Sequence, residues 1–209
     1  MAELTLKTAK NTYKLLENSI YDFEKNTDIN MSILNAVDAL PYNKQTKVLK
    51  NILETSTTLC FINLDILSAY RQYLSAQTNY EERYAMKSLN TIMSEGYKKV
   101  FGFTQNSKSF WKIHMKSVVN DYPELLADYE RITNSLEILA LNSVFNKDMR
   151  DFSVHYDIDP RKVYSMLSQL SAEEVSDRFT SFFACITDVF VFIRKTIDIV
   201  VTPFLSTKI

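Results

Sequence analysis

Arginine, aspartate and histidine come together in one stretch of this chain, RDFSVHYDIDPRK, which runs from Arg150 to Lys162. The chain has only two histidines, His114 and His155, and the second lies here. Cleaving RNA without a metal needs a group that takes the 2′-hydroxyl proton near neutral pH. It also needs a cation that holds the scissile phosphate and steadies its growing charge. Histidine titrates in the right range for the first task. Arginine, always charged and fork-shaped, suits the second. Asp151 is placed to orient either side chain, and Tyr156 directly follows the histidine. Five residues along an ideal helix turn through roughly 500°, which leaves Arg150 and His155 about 140° apart. Convergence therefore requires a helix end, a local distortion or a second copy of the segment across a symmetric interface. The competing reading is a plain helix end, with Arg150 paired to Asp148 or Asp151 and His155 partly buried.

A second candidate is basic. Lys108, Lys112 and Lys116 step by four, so a helix would align them on one face. Phe110 and Trp111 sit among them, and bases stack on exposed aromatic rings. This makes the stripe a candidate RNA surface, extended by Lys98 and Lys99. The alternative is a solvated face with both rings turned into the core. His114 falls in the same stretch and is a second candidate acid–base group.

Other chemistries lack their parts. Gly96 and Gly102 are the only glycines, so no clustered glycines are present to cradle a phosphate. The residues three before the histidines are Trp111 and Phe152, not the glutamates of a di-iron bundle. No paired histidines or CxxC pairs supply a zinc site, and no metal or cofactor is expected. Cys60 and Cys185 lie far apart in apolar surroundings and read as buried structural thiols.

The elements that must position these groups read as helices. The chain has 209 residues, 46% hydrophobic and 23% charged, with a net charge of −1, an ordinary globular composition. So few glycines and prolines argue against sandwiches and barrels, which need many tight turns. Leu6, Ala9, Tyr13, Leu16, Ile20 and Phe23 recur at helical spacing. MSILNAVDAL reads as a separate short second helix ending before Pro41. Asn43 is placed to cap a long third helix reaching towards Ala76, and Asn79 to cap the next, which Gly102 stops. Residues 106–121 read as a short helix or turn. Pro123 suits a first helical position, as does Pro160 after Asp159. Ser171 with Glu174 forms a capping box for the last helix. From Phe179 to Ile193 that helix is apolar on nearly every face, which places it at a bundle centre or between chains. Asp188, Arg194, Lys195 and Asp198 interrupt it, so a membrane span is not expected. The expectation is a single all-α domain over residues 1–209, an up-and-down bundle of about six or seven helices. It is expected in the cytoplasm, with no leader in MAELTLKTAKNTYK.

At Arg150, Asp151 and His155 the sequence resembles the HEPN (higher eukaryotes and prokaryotes nucleotide-binding) superfamily. Its signature is an arginine, a polar residue, then a histidine four to six positions on. RDFSVHYDIDPRKVYSML followed by a final apolar helix resembles bacterial HEPN-like proteins, and YEERYAMKSLNTIMSEGYKKVFGF does so more weakly. The resemblance implies a compact helical bundle, a homodimer formed through the C-terminal helix, and the motif in a cleft at the dimer interface. It implies a metal-independent endoribonuclease, toxin- or defence-related, with an antitoxin-like protein partner. Arg150 and His155 would then be the catalytic pair and Asp151 the supporting residue. Other members are catalytically silent and bind a nucleotide or a protein. One toxin branch carries a tyrosine two positions after the histidine. Asp157 stands there in this chain, so that branch's regulatory scheme does not carry over.

Overall fold

The computed structural model describes residues 2–102, 108–141 and 159–206, and every regular element among them is helical. Helix α1 spans Ala2–Asp38, α2 Lys44–Ser75, α3 Asn79–Val100 and α4 Lys116–Asp121. Helix α5 spans Leu126–Leu141, α6 Pro160–Ser168 and α7 Ala172–Ser206. A π-helical turn, Trp111–Met115, leads into α4, and a 3-10 turn, Pro123–Leu125, leads into α5. The all-α bundle expected from periodicity is the observed architecture.

Most helix ends are set by the residues that mark them in the sequence. Asn43 accepts the N–H groups of Gln45 and Thr46 at 2.8 and 2.9 Å, and Thr46 Oγ1 accepts the Asn43 N–H at 2.9 Å. Two backbone donors that a helix start leaves unpaired are thereby satisfied. Gly102 adopts φ 75° after α3, a conformation that costs glycine little. Pro123 opens the 3-10 turn, and Asp159 Oδ1 accepts the Arg161 N–H at 3.0 Å to start α6. At α7 the Glu174 N–H donates to Ser171 Oγ at 3.3 Å.

Two boundaries differ from the sequence reading. MSILNAVDAL is not a separate helix, because α1 runs unbroken for 37 residues. No glycine or proline lies within it, and its inward seam continues at alternating steps of four and three. That seam is Leu16, Ile20, Phe23, Thr27, Asn30, Leu34 and Val37, none of them exposed. Its polar members find partners. Thr27 Oγ1 donates to Phe23 O at 2.7 Å and Asn30 Nδ2 to Ser56 Oγ at 3.0 Å. The second correction concerns α3, whose cap is Thr78 rather than Asn79. Glu81 N–H donates to Thr78 Oγ1 at 3.2 Å, and the Glu81 carboxylate accepts the Thr78 N–H at 2.9 Å.

Helix α2 is the centre. It packs against α1, α3, α4, the π turn and α7. Ile52, Leu59 and Ile66 on α2 are fully buried with Met93 of α3, Met115 of the π turn, Leu125, Ile132 of α5 and Ile186 of α7. Each such side chain contributes about 1.5–3 kcal/mol by leaving water. Helix α7 runs antiparallel to α2, Phe179 stacking on Tyr70 at 4.8 Å. Arg178 of α7 reaches Asn90 Oδ1 of α3 at 3.1 Å. The hydrophobic density of α7 is thus accounted for partly within the chain, with Phe182, Ile186, Val189, Phe192 and Ile193 buried and Val191 63% exposed. Among the described helices only α2 is long and apolar enough to cross a membrane, and 67% of its most apolar window is buried in the bundle.

Candidate functional site

Arg150, Asp151, His155 and Tyr156 lie outside the described residues. What the structure does describe is their frame. Helix α5 precedes the motif and α6 follows it. Arg131 Nη1 lies 3.2 Å from Asp188 Oδ2, and Lys195 Nζ 2.6 Å from Asp128 Oδ2. These pairs set α5 antiparallel to α7. Continued to Leu141, that register brings the end of α5 alongside the second turn of α7, near Arg178 and Phe179. Helix α6, opened by Asp159 and Pro160, packs on α3.

The lysine stripe occupies a different level of the bundle. Lys108 and Lys116 are exposed and Lys112 is half-buried. Trp111 is not available to stack on a base. It is 1% exposed, its ring lies flat on Tyr129 at 5.0 Å and 11°, and its Nε1 donates to Thr133 Oγ1 at 2.9 Å. Phe110 is half-buried beneath Lys99, whose Nζ is 5.6 Å from the ring centre. Lys98 sits 3.8 Å from Glu95. The stripe is level with Glu54 of α2, whereas Tyr70, which stacks on Phe179, is sixteen residues further along the same helix. At the helical rise that is about 24 Å. The stripe and the end of α5 are therefore separate regions of the surface.

His114 is the histidine whose surroundings are described. The π turn widens the backbone here, Lys116 N–H reaching back to Trp111 O, and Ser109 Oγ accepts the Lys112 N–H at 3.3 Å. The wide turn holds Trp111 in the core and His114 against α2. Glu54 Oε2 approaches His114 Nδ1 at 3.4 Å, yet Nδ1 is buried without a hydrogen bond among the described residues. The contact is an electrostatic approach without the alignment of a hydrogen bond. Phe110 meets the imidazole edge-on at 4.8 Å. Burial pushes the His114 pKa below its ordinary value, with Glu54 pulling the other way. Glu54 also lies 4.0 Å from Lys50, which bonds Asp38 of α1 at 2.6 Å. A neutral imidazole beside a carboxylate is a proton-handling pair. Sequence reasoning found His114 and missed Glu54, because 60 positions separate them and no local spacing joins them.

Cys60 and Cys185 are free thiols, and burial pushes each up to about 11. Thiols held neutral in this way are poor nucleophiles. Among the described residues no cluster of three or more histidine, cysteine or acidic side chains is arranged to hold a metal. Searches against family models, curated proteins and solved structures found no match for this chain.

Proposed function

We propose that the chain is a metal-independent endoribonuclease of HEPN type, acting through Arg150, Asp151 and His155. The observation that carries the reading is the Arg-Asp-x-x-x-His motif in the sequence, set between helices in an all-helical chain. His155 takes the proton from a ribose 2′-hydroxyl, whose oxygen then attacks the adjacent phosphorus. Arg150 holds the non-bridging oxygens and steadies their charge. Asp151 orients one of the two. The 5′-oxygen leaves and takes up a proton from water, giving a 2′,3′-cyclic phosphate and a 5′-hydroxyl end. In this reading the protein is a cytoplasmic homodimer that pairs through α7, serves as a toxin or in defence, and is restrained by an antitoxin-like partner. Lys108, Lys112 and Lys116 contribute phosphate contacts to the same RNA, and Tyr156 contacts RNA beside His155.

A second reading has its own support. The five-residue spacing separates Arg150 from His155 around an ideal helix, which favours a catalytically silent HEPN-like domain that binds a nucleotide or a protein.

RNA cleavage in EDTA separates the two. Wild type is compared with His155→Ala and Arg150→Ala, each checked for native helix content. Cleavage that persists in EDTA and is lost by at least about 100-fold in both variants supports the ribonuclease. Wild type that leaves mixed RNA substrates intact, while nucleotides raise its melting temperature, transfers the weight to the silent domain.

A further inference from the structure

Helices α1 and α7 do not close on one another over the middle of α2. Between them lies an open groove of about 600 Å³. Its walls are mixed, with Phe23 and Asn26 on α1 and Phe183, Thr187, Phe190 and Ile197 on α7. Phe23 and Phe190 meet at 5.6 Å, ring centre to ring centre. Ser56 and Cys60 of α2 form the floor, where the α1 seam turns polar at Asn30. There the Asn30 amide donates to Ser56 Oγ at 3.0 Å in place of a hydrocarbon contact.

Among the described residues, Arg194 is the one charged side chain lining the groove, and no acidic side chain lines it. The next residue, Lys195, points to the other side of α7 and pairs with Asp128. Aromatic and aliphatic surface beside neutral polar groups and a single cation suits an occupant with both an apolar part and an anionic one. The size is that of a small-molecule site, in which apolar area supplies affinity and a few polar groups fix orientation.

We infer that this groove binds a small amphipathic anion. Its apolar chain lies along Phe23, Phe183 and Phe190, and its single anionic head meets Arg194. The proposal uses none of the residues Arg150–His155 and stands whether or not that motif cleaves RNA.

The test titrates three ten-carbon probes, decanoate, decanol and decyltrimethylammonium, into the full chain and follows binding by calorimetry. Decanoate should bind about twofold to fivefold more tightly than decanol, and decyltrimethylammonium more weakly than either. Arg194→Gln should bring decanoate down to the level of decanol. Thr187→Trp, which places a ring in the groove from an exposed position, should abolish binding of all three while the melting temperature holds. Equal affinity for the three probes would overturn the proposal. So would decanoate binding that survives Thr187→Trp, or no saturable decanoate binding at millimolar concentration. A dimer that Thr187→Trp dissociates would assign the groove to a second copy of the chain and equally overturn it.

Discussion

His114 shows how one buried side chain ties stability to pH. The groups facing it are Glu54 with Lys50 beyond it on α2, and Lys99 of α3 across Phe110. Burial is the larger influence and holds the folded-state pKa below the ordinary 6.5. The unfolded chain then binds a proton more readily than the folded one. Stability is complete above about pH 6.5 and declines as pH falls through that value towards the folded pKa. Urea midpoints at pH 7.5 and 5.5 should therefore differ more for wild type than for His114→Gln, which cannot titrate. Glu54→Gln should widen the wild-type difference, since it removes the group that favours the imidazolium. A His114→Gln variant with an unchanged pH dependence would show that other groups govern this range. At this scale the sequence disclosed residue types and spacing only. Arg150, Asp151 and His155 could be picked out as a set, and His114 flagged, because chemistry follows from side-chain type. Glu54 could not, because its partnership exists only after α2 and the π turn pack.

Helices meet closely where a side chain is missing. A Cβ at Gly96 of α3 would stand 2.7 Å from Ile62 Cγ2 of α2. That methyl is fixed directly to the branched Cβ and has no freedom to swing away. Alanine is worth about 1 kcal/mol more than glycine in a helix, but overpacking costs about 1–3 kcal/mol. Gly96→Ala should thus lose up to about 2 kcal/mol in denaturant unfolding. Ile62→Leu moves the offending methyl, so the double variant should lose less than the two single changes added together. The cap of α2 offers a second measure. Asn43→Ala removes the acceptor for two N–H groups and should cost about 1 kcal/mol, with Asn43→Gly costing only tenths. Element ends were legible in the sequence where a single residue type sets them, as at Asn43, Gly102, Pro123 and Asp159. The division of α1 was misread because Thr27 and Asn30 break the apolar pattern that marks a helix face. Both are satisfied, one by its own backbone and the other by Ser56, a partner that periodicity does not reveal. Thr78 and Asn79 are both capping types, and Thr78 takes the role because Glu81, three residues on, completes the box.

Across the whole molecule, the lysine stripe and the end of α5 sit at different levels of α2. RNA that reached both would span about 24 Å. On the proposed ribonuclease reading, changing Lys108, Lys112 and Lys116 together to glutamate should raise KM for long RNA several-fold and flatten its salt dependence. The value of kcat should stay within about twofold if these contacts bind substrate and transition state alike. A matching fall in kcat would place the stripe at the chemistry instead. Fold class was legible at this scale because helical periodicity and scarce glycine and proline are global properties. The separation of the stripe from the end of α5 was not, since it depends on where α4 docks along α2. One further feature connects every part of the core. Trp111 is the chain's single tryptophan, held against Tyr129, Phe101 and Phe192, so the π turn, α3, α5 and α7 all meet at one indole. The protein therefore carries its own optical probe. Its emission should be blue-shifted and shielded from acrylamide, and fed by energy transfer from the twelve tyrosines. Loosening of any of these elements should register as a red shift without a label having been attached.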